Sequence, residues 1–272
     1  MRQVSVKKYD ASYFGDNYSF DYNRKIKLED FGDVPKRLSE ILPLKKSDNI
    51  IDFGCGAGAL IFYLSLKYKC NAIGIDYSKF AIKVCQEYKK KFLQYNKVDQ
   101  KKIIFLNKSI EELSSFKNIK AVYLQDVVEH LYDEEIYKML EKFKTWNKNE
   151  IYLILHTDNN LYLQYLRPLE DFISLLLHKT TKAKINQRNK SENERHINLM
   201  TVNQVKRKLL NQGFVTEKVE YSTISYEKIQ AQLKKTLQIK SLLQIIYFSS
   251  KLLYFLRPSF YILAKYSNKL EV

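Results

Sequence analysis

The chain has 272 residues, 45% hydrophobic and 28% charged, enough apolar material for a large core and unlike the composition of a disordered chain. Only 7 Gly and 4 Pro argue against collagen-like and turn-dense all-β architectures. The formal net charge is +16, of which residues 1–160 carry +5 and residues 161–272 carry +11, so the basicity belongs mainly to the C-terminal part.

Residues 1–30 read as a polar N-terminal arm rich in tyrosine (Tyr9, Tyr13, Tyr18, Tyr22). A helix is predicted from Val34 to Leu42, where Leu38, Ile41 and Leu42 recur at helical spacing and Pro43 stops it. Asn49–Phe53 reads as a strand running into a glycine loop, with a helix from Ala57 to Tyr68 behind it. Further strands are expected at Asn71–Asp76, Ile103–Leu106, Ala121–Leu124 and Ile151–Leu155. Helices are expected between them at Ser78–Gln94, from Ile110, and at Glu134–Phe143, with Ser78 as an N-cap. Strands alternating with helices imply right-handed crossovers and a mostly parallel sheet, so residues 31–160 form the expected α/β core.

Residues 161–200 break that rhythm with an apolar helix (Leu161–Leu177) and a polar, basic run. An insertion after a strand's C-terminal end lies over the ligand crevice of such a fold, so it is expected to cap the acceptor site. A helix from Val202 to Asn211, stopped by Gly213, and a strand from Phe214 to Tyr221 then complete the sheet over residues 201–225. Residues 226–272 read as a hydrophobic, basic, helical tail. Leu242, Ile245, Ile246, Leu252, Leu253 and Leu256 share one helical face, and Arg257–Pro258 ends or kinks the helix.

The first strand ends in Asp52-Phe53-Gly54-Cys55-Gly56-Ala57-Gly58. Glycines between a strand and its helix permit φ > 0 and let a ligand touch backbone at the helix N-terminus. Read as Gly54-x-Gly56-x-x-Ala59, the loop is an imperfect dinucleotide fingerprint. Read as Asp52-x-Gly54-x-Gly56-x-Gly58, it resembles motif I of the class I S-adenosylmethionine (SAM)-dependent methyltransferases. Charge favours the second reading, because Asp52 would repel a pyrophosphate, whereas SAM carries an ammonium and a sulfonium and no phosphate. Gly74-Ile75-Asp76-Tyr77-Ser78 resembles the family's second-strand signature, and Leu106–Leu113 its adenine-lining segment. Ala121–Leu131, with its Glu129-His130 pair, resembles the motif of the fourth strand.

The resemblance implies a Rossmann-like, doubly wound, mostly parallel sheet of seven strands, with a helical insertion and a helical C-terminal extension. It implies SAM as cofactor, held by Asp52, Gly54, Cys55, Gly56 and Gly58 of the loop. Asp76 would take the ribose hydroxyls and Tyr77 the adenine, with Ser109, Ile110 and Gln125 completing the pocket. A hydride-transfer enzyme using NAD is disfavoured by Asp52.

For methyl transfer to a hydroxyl, the protein must orient the acceptor and remove its proton. Only four histidines exist, and three (His130, His156, His196) map near the expected crevice. In one reading His130 or His196, with Glu129, supplies a general base, since imidazole titrates near physiological pH. In another, Asp126, Glu129, His130 and His196 ligate a divalent metal. That set resembles the small-RNA 3′-end 2′-O-methyltransferases, with Asp126 replacing a glutamate. Glu129 and His130 bonding each other or capping the next helix is the third reading. The expected activity is O-methylation of a small-molecule or glycan-type acceptor, with an RNA 3′ end or a non-catalytic SAM-binding role as alternatives.

Of the 46 basic residues 38 are Lys, whereas phosphate and base-edge recognition favours the Arg fork. The basic surface therefore suggests an anionic or lipid-linked acceptor, or peripheral membrane contact through the tail, ahead of nucleic acid. Three unpaired cysteines (Cys55, Cys70, Cys85), no secretory signal and no spanning segment give a cytoplasmic expectation.

Overall fold

The structure is a computed structural model that describes residues 21, 23–113, 115–176, 178, 180–222 and 253–268. Its strands are β1 (Asn49–Phe53), β2 (Asn71–Asp76), β3 (Ile103–Asn107), β4 (Ile119–Gln125), β5 (Glu150–Asp158), β6 (Val215–Tyr221) and β7 (Ser259–Ser267). They form one sheet in the order β3-β2-β1-β4-β5-β7-β6. The first five pair in parallel, while β7 runs antiparallel to both β5 and β6.

The helices are α1 (Asp33–Ile41), α2 (Ala59–Tyr68), α3 (Lys79–Tyr95), α4 (Asp133–Lys144), α5 (Arg167–Leu176), α6 (Lys182–Asn193) and α7 (Val202–Asn211). Side chains alternate along each strand, so neighbouring residues feed opposite cores. Ile51, Val122 and Leu153 pack with Met139 and Phe143 of α4 and Leu209 of α7. Ile50, Tyr123 and Ile154 pack with Leu38 of α1, Phe62 of α2 and Phe92 of α3. Helices thus cover both faces, the doubly wound arrangement that the alternating pattern predicts. Ser78 caps α3 as expected, its hydroxyl accepting from the Ala81 amide.

Two expectations need correction. The segment from Ile110 is a turn and not a helix. The Lys142 ammonium donates to the carbonyls of Ile110, Glu111 and Leu113, satisfying acceptors that a helix would have used internally. The end of the supposed helical tail is a strand: Ser259–Ser267 slots between β5 and β6, with Phe260 to Ala264 buried. Its run Phe260-Tyr261-Ile262-Leu263-Ala264 is apolar at every position, a pattern that periodicity cannot separate from a buried helix. Most of the predicted tail and arm, including residues 1–20 and 223–252, falls outside the described residues. Among the described residues no helix is long and apolar enough to cross a membrane.

Candidate active site

The strand order reverses between β1 and β4, and there a crevice opens at the strands' C-terminal ends. It is a cleft of about 1140 Å³, counted out to its open mouth. Asp52, Gly54, Cys55 and Gly56 line it from β1, Asp76 and Tyr77 from β2, and Ser109 and Ile110 from beyond β3. Gln125, Asp126, His130 and Leu131 line the side formed by β4.

The glycine loop is shaped by close approach. Gly54 has φ +76°, and a Cβ there would meet Val127 Cγ2 at 2.6 Å. Gly58 has φ +81°, and its Cβ would meet the Phe105 ring at 2.9 Å. Both positions need a left-handed backbone with no side chain. Gly58 backs the loop and does not line the cleft.

Two acids sit under this loop. Asp76 accepts from the Gly56 amide through Oδ2 at 3.0 Å and from the Ser78 amide through Oδ1 at 2.8 Å, clamping the loop to β2. Burial pushes its carboxyl up to about 6 against those two bonds. Asp52 is 2% exposed, and its Oδ1 has no hydrogen-bond partner among the described residues. Burial, and then the charge of Asp76, push the Asp52 carboxyl up to about 8.

Past β4 lie the groups expected to do chemistry. His130 lines the cleft, and its Nδ1 lies 3.0 Å from the Arg195 carbonyl. A carbonyl only accepts, so Nδ1 carries the proton and Nε2 is the basic nitrogen. Burial lowers the His130 pKa, keeping the imidazole neutral. His196 packs against this ring, tilted by 59° at 4.9 Å between centroids, and is not part of the cleft lining. Burial, and then His130, push His196 down to about 4.

Glu129 departs from expectation. Its carboxyl is buried behind the wall, accepts the Thr157 hydroxyl at 2.8 Å, and is pushed well up by burial and by Asp126. Burial thus favours its uncharged form, and it does not line the cleft beside His130. The four-ligand metal arrangement does not form either. Among the described residues no group of three or more His, Cys, Asp or Glu could hold a metal ion.

Asp126 has another partner. Its Oδ1 lies 2.6 Å from His156 Nδ1, and His156 Nε2 lies 2.9 Å from the Ser259 hydroxyl of β7. Burial acts to raise the Asp126 carboxyl, but His156 outweighs it and holds the pKa below the ordinary value. Asp126 also sits at φ +54°, a left-handed conformation unusual for a residue with a side chain. A bond from the Asp126 amide to the His156 carbonyl at 3.0 Å helps hold that turn.

Residues 44–241 match the methyltransferase-domain family. The chain belongs to the class I SAM-dependent methyltransferases. A probable (S)-tetrahydroprotoberberine N-methyltransferase of Papaver bracteatum is 22% identical over 130 residues, 47% of this chain and 34% of that protein. The chain thus spans about a third of the length of the curated relatives it matches. The geranyl diphosphate C-methyltransferase of Streptomyces coelicolor A3(2) superposes with TM-score 0.54 at 12% identity, covering 87% of this chain and 80% of that one. A cyclopropane synthase of Mycobacterium tuberculosis gives TM-score 0.55 at 16% identity, covering 85% and 82%. These structural likenesses establish the Rossmann-like methyltransferase fold.

The residues of the methyltransferase cleft fit SAM. The orphaned buried Asp52 carboxyl lines the cleft, suits a cation and would oppose a pyrophosphate. Asp52, Gly54, Gly56 and Asp76 would hold the cofactor, which supplies an activated methyl on a sulfonium. Sequence reasoning placed His156 near the crevice but missed its bond to Asp126. Ser259 could not be found, because β7 was read as helix.

Proposed function

We propose that this methyltransferase transfers the SAM methyl group to a hydroxyl oxygen of a small-molecule or glycan-type acceptor, lipid-linked precursors included. One observation carries the proposal: His130, in the cleft wall, holds its Nδ1 proton on the Arg195 carbonyl and so offers Nε2 as the base. A neutral imidazole in that tautomer accepts a hydroxyl proton as the oxygen bonds to carbon. Leu131 adjoins His130 in the same wall and gives that end of the cleft an apolar neighbour. Glu129 supports the wall through Thr157, and His196 packs against the base.

The experiment is transfer of labelled methyl from SAM into cell extract, split into polar and lipid phases, with the product's linkage determined. A methyl ether is expected, and its formation should fall about 10²–10⁴-fold for His130→Ala. SAM affinity should stay within about twofold, since His130 is assigned to the acceptor. Label recovered on nitrogen or carbon would overturn the assignment to oxygen.

A further inference from the structure

Helix α5 is amphipathic in the wrong sense for a helix that packs its apolar face inward. Its polar side faces the protein: Arg167 makes a bidentate pair with Glu192 of α6, both bonds at 2.8 Å, and Asp171 accepts from Arg188 of α6. The other side carries Leu169, Phe172 and Leu176, which are 53%, 58% and 62% exposed, and Tyr165 of the preceding π-helical turn (Tyr162–Leu166) continues the row at 65%. The spacing of 4, 3 and 4 residues puts all four on one face.

A second exposed apolar group adjoins them. Leu253, Tyr254 and Phe255 are exposed at a turn (Tyr254–Leu256) that contacts the Tyr162–Leu166 segment. This turn is fixed and not frayed, because the buried Asn159 side chain donates to the carbonyls of Phe255 and Arg257, both at 2.8 Å. Behind α5, on the side away from the ridge, α6 presents exposed Lys182, Lys184 and Lys190. The whole C-terminal part carries +11.

We infer that this ridge is a membrane-docking surface, which inserts the apolar side chains of α5 and the 253–255 turn among the headgroups of an anionic bilayer. An apolar row with aromatics, backed by a basic helix and too short to span, is the chemistry of an interfacial helix. The net charge of +11 on residues 161–272 selects an anionic bilayer over a second copy of this chain, whose own basic part would be brought against it. The insertion follows β5, so docking sets the cleft's end of the sheet toward the lipid. This holds whichever atom is methylated.

The test is co-sedimentation of the full chain with vesicles of phosphatidylcholine alone and with about one third phosphatidylglycerol. Binding to the anionic vesicles is expected, at least tenfold weaker for Leu169→Glu with Phe172→Glu. A Lys184→Glu with Lys190→Glu variant should lose binding in the same way, and salt should weaken the wild type. Both pairs are exposed, and unchanged SAM binding with an unchanged melting temperature checks the fold of each variant. Wild type that stays in the supernatant with anionic vesicles overturns the inference. So does a ridge variant that binds them like wild type, or one whose only change is loss of a dimer on gel filtration.

Discussion

With Asp52 assigned to the cofactor, SAM binding and protonation of its carboxyl are expected to be linked. Its carboxyl is held up at about 8 by burial and by Asp76, so at pH 7 about nine in ten molecules carry the proton without cofactor. A cation bound beside it favours the ionised form, and SAM binding should expel that proton. Below about pH 8, apparent SAM affinity is therefore expected to weaken by about tenfold per pH unit, reaching up to about 100-fold by pH 6. Asp76, at about 6, is mostly ionised at pH 7 and adds only about a tenth of a proton.

The assay is titration calorimetry at pH 6, 7 and 8 in two buffers of different ionisation enthalpy, which counts released protons directly. Asp52→Asn should abolish both the pH slope and most of the buffer-dependent heat. Stability carries the same signature with its own sign. The folded carboxyl binds its proton more tightly than the unfolded one, so its contribution is complete below about pH 4 and is lost as pH rises through 8. Saturating SAM should flatten that fall. A wild-type affinity that is level from pH 6 to 8, with no proton released, would refute the reasoning.

Gly54→Ala forces a left-handed residue at about 1–2 kcal/mol and drives a Cβ into Val127, adding about 1–3 kcal/mol. Adding Val127→Ala should recover only the second part in urea unfolding. Glu129→Gln should change stability by less than about 1 kcal/mol, because burial favours the uncharged acid and Gln keeps an acceptor for Thr157, whereas Glu129→Ala should cost about 1–3 kcal/mol. His156→Ala leaves both the Ser259 hydroxyl and the Asp126 carboxylate without their partner. It should lower stability by about 2–4 kcal/mol in the same assay.

The β1–β5 half of the fold was legible because each strand there is short, apolar and closed by a glycine, serine or polar turn. The glycine loop was equally plain, since only glycine tolerates φ +76° against Val127. Legibility ended where partners come from distant sequence. Nothing local in Phe260–Ala264 says that it pairs with β5 and β6, and a uniformly apolar run suits a buried strand and a buried helix alike. Losing β7 lost Ser259, and with it the reason that His156 faces Asp126. Glu129 shows the converse. Its adjacency to His130 suggested shared chemistry, but successive residues in a tight turn point apart, and burial sent the carboxyl to Thr157.

The net charge of +16 looks at odds with a site that holds a cation, and the resolution is one of distance and dielectric. Asp52 and Asp76 are buried beneath the cleft and Asp126 faces into it, where a charge interacts through protein and little water. The lysines of α6 stand in solvent, where a Debye length of about 8 Å screens them from the cleft floor. The same screening does not protect them from a charged surface brought into contact. On this reasoning the acids are expected to govern what enters the cleft, and the lysines what the outside of the insertion meets. Raising ionic strength should then leave SAM affinity nearly unchanged while releasing the protein from anionic vesicles. A parallel loss of both would mean that the basic surface reaches into the cleft after all.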